Sequence, residues 1–157
     1  MRRCVVTGGD MIKSVILTLV LAAAAMIAAA PAAKAGVGLA VGVTSNPGDG
    51  IAIGYAYNYD DEKEAAATAI DECRNYKEAP QANRQCRLIG TLKNGCLAAA
   101  FDPKSDSSGM GWALHRDREA AEARALSDCR AAAPSSRKEF CRVDISKCDG
   151  DPPIKKR

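Results

Sequence analysis

The side chains able to do chemistry in this chain of 157 residues are mostly cysteines: Cys4, Cys73, Cys86, Cys96, Cys129, Cys141 and Cys148. No Cys-x-x-Cys pair occurs and a single histidine, His115, is present, so the cysteines lack the partners and spacing of a zinc site, and no metal or other cofactor is expected. His115 as a general base needs a hydroxyl or thiol within hydrogen-bond reach, and no local motif supplies one; it reads as a surface histidine. The segment Asp102 to Gly109, DPKSDSSG, offers carboxylates and hydroxyls to calcium but lacks the alternating acidic spacing and terminal Glu of an EF-hand loop, and reads as a polar connection. The acids Asp60, Asp61, Glu62 and Glu64 suit a helix N-terminus, where the macrodipole favours negative charge, and suggest no separate acid/base pair. No catalytic residue is assigned.

Cysteines of this number have their natural use in disulfides, and the start of the chain points to a compartment that permits them. Lys13 precedes the apolar run Val15 to Ala30, which is followed by PAAKAG. That order is a secretory signal peptide over residues 1–35, cleaved after Ala35; a retained anchor is the alternative, but the run is shorter than the roughly 20 residues a spanning helix needs. Met11 makes a more compact signal start than Met1. Cleavage removes Cys4 and leaves six cysteines in an oxidising compartment, periplasmic or extracellular. It also leaves 18 basic and 18 acidic residues, whereas the whole chain carries a net charge of +3. A neutral domain has no long-range field to gather nucleic acid or anionic lipid.

Two similar passages position the cysteines. GYAYNYDDEKEAAATAIDECR starts at Gly54 and GWALHRDREAAEARALSDCR at Gly111; both run from Gly-aromatic-Ala through an Asp into an alanine-rich stretch ending Cys-Arg, as a duplicated unit does. Ile51, Ile53, Tyr55, Tyr57 and Tyr59 alternate with small residues, as in a strand. Asp61 caps a helix that places Ala65, Ala66, Ala69, Ile70 and Cys73 on one face. In the second passage Met110, Trp112 and Leu114 alternate, Asp117 caps, and Ala121, Ala125, Leu126 and Cys129 share a face. Cys86-Arg87 and Cys141-Arg142 each open a further strand, and Asn94-Gly95 marks a hairpin between Thr91-Leu92-Lys93 and Cys96-Leu97-Ala98. In RVDISK, Val143 and Ile145 alternate with polar residues, so one side of the sheet is expected to face water. The fold class is α+β: duplicated strand-helix-strand units, with two helices on one face of a mostly antiparallel sheet of about five strands and three disulfides. Residues 36–50 form a Gly-rich leader, 51–148 the stapled domain and 149–157 a flexible basic tail.

Six cysteines allow 15 pairings. The hairpin removes Cys86 with Cys96, because Cys86 lies too far back along its strand from the turn. The duplication asks Cys73 and Cys129 to behave alike. The simplest symmetric scheme ties each helix end to the following strand, Cys73 to Cys86 and Cys129 to Cys141, and leaves Cys96 to Cys148 as a bridge between the two units.

These residues resemble the domain-of-unknown-function 4189 family of exported bacterial proteins, in the Gly-aromatic-Ala strand, the alanine-rich helix ending in Cys, CRLIGTLKNGC and the second Gly-Trp-Ala strand, over about Ile51 to Cys148. The resemblance implies no activity and no catalytic residues. Without a catalytic constellation, the expected role is a non-enzymatic exported module that binds a protein or envelope component; the alternatives are a hydrolase with a site assembled from distant loops and a structural or stress-protective envelope protein. Tyr55 and Trp112 are expected in the core against the helices, because the matching positions Ile53 and Met110 are apolar. Tyr57 and Tyr59, nearer the strand end, are the expected binding face.

Overall fold

A computed structural model describes residues 36–153; the signal peptide reading and the last four residues lie outside them. Six strands and two α-helices follow in the order β1 (Gly36–Val43), β2 (Ile51–Tyr59), α1 (Glu62–Arg74), β3 (Arg87–Lys93), β4 (Cys96–Phe101), β5 (Met110–His115), α2 (Arg118–Ala132) and β6 (Arg142–Cys148). They make two antiparallel three-stranded sheets, ordered β2-β1-β3 and β5-β4-β6. Both halves of the chain therefore run strand, strand, helix, strand, with the first strand central.

This corrects the expectation of a single sheet of about five strands, and the difference starts at the leader. GVGLAVGV alternates small with large residues as IAIGYAY does, and it forms the central strand β1, buried along nearly its whole length. Within the Gly-rich leader, glycine and alanine are thus one face of a strand.

The helices cover the small-residue faces. Ala40, Ala52 and Ala56 pack with Ala65, Ala69 and Cys73 of α1, and Ala98, Ala100 and Ala113 with Ala121, Ala125 and Cys129 of α2. Asp61 and Asp117 cap the helices, accepting from the N–H groups of Lys63 and Ala120 at 2.9 Å each. The large residues take the opposite face. Val37, Leu39, Val41, Leu97 and Ala99 are fully buried there, β1 lies over β4, and Gly90 meets the Leu114 side chain. The two sheets thus pack face to face with a helix outside each, as four layers.

Tyr55 and Trp112 consequently point away from the helices, half-buried at the rim of the layer between the sheets. Neither sheet turns a whole face to water. A bulge between Ala99 and Ala100 shifts the β6 register so that Ile145 pairs with Ala99 and Val143 with Ala100, which turns these two apolar residues to opposite faces.

Asn94-Gly95 makes its turn, with Asn94 at φ 49°, but the strands it joins do not pair with each other. β3 pairs with β1, and β4 with β5 and β6, so the turn is a corner between sheets. Three disulfides link Cys73–Cys86, Cys129–Cys141 and Cys96–Cys148. The first two each tie a helix end to the start of a strand across a Cα separation of 6.0 Å. Cys96 and Cys148 face each other in the β4–β6 ladder, so the third bridge lies inside the second half and does not join the halves.

Candidate functional site

β2 is an edge strand, and a groove of about 440 Å³ runs along its flank, with Tyr55 and Tyr57 on one wall, Thr68 and Glu72 of α1 on the other, and Pro153 also lining it. The tyrosine rings lie 6.4 Å apart at 21°, a stacked pair, and the Lys147 ammonium sits 5.8 Å from the centre of the Tyr57 ring. Burial raises the Tyr55 hydroxyl above its ordinary pKa, with Tyr57 and Glu72 adding to the shift. A second cleft of about 550 Å³ shares Ile53, Tyr55 and Glu72 and extends to Glu78 and Asp144.

The strand reaches this geometry through Asn58, which adopts φ 64° where the β1–β2 register shifts. The irregularity breaks the alternation, so Tyr59 packs against the α1 core while it still lines the groove together with Tyr57. The expected pair Tyr57 and Tyr59 both line the groove, and the stacked aromatic pair is Tyr55 and Tyr57. Nothing in the residue pattern around Asn58 marks the break except Asn itself, one of the few non-glycine residues that tolerate positive φ.

The segment after β6, expected as flexible, is a strap as far as Pro153. Asp149 accepts from the N–H groups of Asn58 and Gly95, at 3.1 Å each. Asn58 donates its side-chain amide to Asp151 O at 2.7 Å and accepts from Gly150 N–H. Arg118 makes a bidentate pair with Asp151 at 2.7 and 2.8 Å, and the Cys148 N–H donates to the same carboxylate. Beyond it, the Tyr57 hydroxyl donates to Pro152 O at 3.3 Å. The strap joins the start of α2, the corner at Gly95 and the end of β2.

Arg118 and the Cys148 N–H hold the Asp151 carboxyl below its ordinary value. A carboxyl lowered by folding contributes stability that is present above its unfolded pKa, about 4, and is lost as pH falls through the folded value. The strap is therefore expected to release in acid, read as loss of the Cys148, Asn58 and Gly95 amide shifts by NMR while β1 and β4 amides keep their protection. Arg118→Ala is expected to move the release to higher pH; an unmoved transition would mean that other groups govern the strap.

The other candidate residues stay apart. His115 is exposed and accepts the Asp117 N–H at 3.0 Å through Nδ1, with no carboxylate or hydroxyl bonded to it. Asp102 is fully buried and engaged by the Arg137 guanidinium, Ser107 and the Lys104 N–H, which together hold it well below the usual carboxylate range and leave it no role as a calcium ligand. Among the described residues no cluster of three or more metal-ligating side chains occurs, and no helix is long and apolar enough to cross a membrane, which says nothing of strands.

A family model described as Domain of unknown function (DUF4189) matches residues 38–148, and so takes in most of β1 as well as the cysteine-bearing segments. No curated protein and no solved structure matches the chain.

Proposed function

Because the chain belongs to the DUF4189 family, whose description assigns no activity, its role must be argued from its own surface, and we propose a non-enzymatic, exported module that binds a protein or cell-envelope component through the Tyr55–Tyr57 groove. The carrying observation is the stacked tyrosine pair on an edge strand, half-exposed beside a groove with an acidic opposite wall. Aromatic rings offer large contact area at low entropy cost, which is why they concentrate in recognition surfaces. Three disulfides accord with export, since such bonds persist in oxidising compartments. The shared order of the two halves accords with duplication of one unit, of which only the first half carries the tyrosines.

The test is photo-cross-linking of the exported protein to envelope fractions. Tyr55→Ser/Tyr57→Ser is expected to lower the cross-linked yield about tenfold or more, as loss of a central aromatic pair does at interfaces. Leu88→Ser, on the other edge strand of the same sheet, is expected to leave it unchanged. Equal yields from all three proteins would overturn the reading.

A further inference from the structure

We propose that the groove recognises a proline-rich, basic peptide segment in the polyproline II conformation; the inference rests on the binding role above and names its ligand class. The groove already holds such chemistry. Pro152 offers its carbonyl to the Tyr57 hydroxyl at 3.3 Å and Pro153 lines the groove. A polyproline II segment makes no internal hydrogen bonds, so its carbonyls are open acceptors, and its ring-fixed φ lowers the entropy lost on docking. Aromatic-lined grooves with a hydroxyl donor use both properties. The stacked Tyr55 and Tyr57 rings form one continuous apolar wall for successive proline rings.

Charge selects among proline-rich segments. Glu72 faces the tyrosines, and the adjoining cleft adds Glu78, Lys77 and Asp144, the last paired with Arg142, while Lys147 sits over the Tyr57 ring, so a ligand that follows its prolines with Lys or Arg meets Glu72 and Glu78 as it leaves the tyrosine wall. The chain's own sequence has this order, with Pro152-Pro153 followed by Ile154, Lys155, Lys156 and Arg157. The strap is anchored upstream by Asp149, Asp151 and Arg118, which do not line the groove, so its prolines can give way while the anchor stays. An incoming peptide thus competes with the resident Pro152-Pro153.

The experiment titrates a labelled synthetic peptide of repeated Pro-Pro-Ile-Lys units, and a copy with glycine for every proline, into the exported full-length protein and into its Pro152→Gly/Pro153→Gly variant. The proline peptide is expected to bind both proteins, about tenfold more tightly to the variant because the resident competitor is weakened, and about tenfold more tightly than the glycine copy. Tyr57→Phe, which removes one hydroxyl and keeps the ring, is expected to weaken binding about three- to tenfold. Absence of saturable binding, equal affinity for the two peptides, or affinity unchanged by Tyr57→Phe would each overturn the proposal. If the peptide fails to bind while Tyr55→Ser/Tyr57→Ser still abolishes envelope cross-linking, the ligand class falls and the binding role stands; if cross-linking also survives that substitution, both fall.

Discussion

Replacing Gly111 by alanine is expected to remove a large part of the protein's stability, and Gly54→Ala to do the same. A Cβ at Gly111 would overlap the carbonyl oxygen of Ala125 and the amide nitrogen of Cys129; at Gly54 it would overlap the equivalent atoms of Ala69 and Cys73. Those atoms are helix backbone and have no rotamer to change. The helix would have to lift off its sheet, yet Cys73 and Cys129 hold it there through their bridges. Overpacking costs about 1–3 kcal/mol and occasionally more, and with rigid backbone as the obstacle the upper end is expected, a large part of the net stability of about 5–15 kcal/mol of a small domain. Chemical denaturation without reductant reads the loss directly. Gly48→Ala, in an exposed turn, should stay within about 0.5 kcal/mol of the parent. A Gly111→Ala protein as stable as its parent would refute the close helix-to-sheet contact.

Loss of the Cys96–Cys148 bridge is expected to cost more than loss of either helix staple, although it joins strands that are already hydrogen-bonded. Its cysteines are 52 residues apart, against 13 for Cys73–Cys86 and 12 for Cys129–Cys141. If a bridge acts mainly by restricting the unfolded chain, the longer loop is worth about 4 kcal/mol and each shorter one about 3 kcal/mol. Cys96→Ala/Cys148→Ala should therefore give the lowest denaturation midpoint of the three double variants, while peptide mapping still finds Cys73–Cys86 and Cys129–Cys141. If a helix-staple variant proves the least stable, native-state anchoring of the thin helices outweighs the entropy of the unfolded chain.

What could be read in the sequence was what local chemistry decides. Asp61 and Asp117 announced their helices because a capping carboxylate acts within three residues, and the spacing of Ala65, Ala69 and Cys73 fixed the buried stripe. Which face of a strand meets the helix was harder. Large side chains suggested core for Tyr55 and Trp112, but a helix placed close to a sheet needs glycine and alanine beneath it, and the bulky residues then fill the layer between the sheets. That preference is legible in GVGLAVGV, whose small residues alternate with Val37, Leu39, Val41 and Val43. Asn94-Gly95 encoded a turn correctly and a strand pairing incorrectly, since pairing is decided by distant strands. The groove was the least accessible feature: it depends on the irregularity at Asn58 and on a strap whose Asp149 and Asp151 find partners about 90 and 30 residues earlier in the chain.

Among the described residues every disulfide closes within one half, two in the second and one in the first. Among the described residues the backbone through Asn94 and Gly95 is the only covalent link between the halves. A single cut there would separate the chain into two polypeptides without any reductant, each keeping its own bridges and held to the other by non-covalent contacts such as the apolar layer between the sheets and the strap at Asp149. The same arrangement makes the halves exchangeable. Two molecules whose corner opens can trade their second halves, oxidised and intact, without breaking a sulfur–sulfur bond.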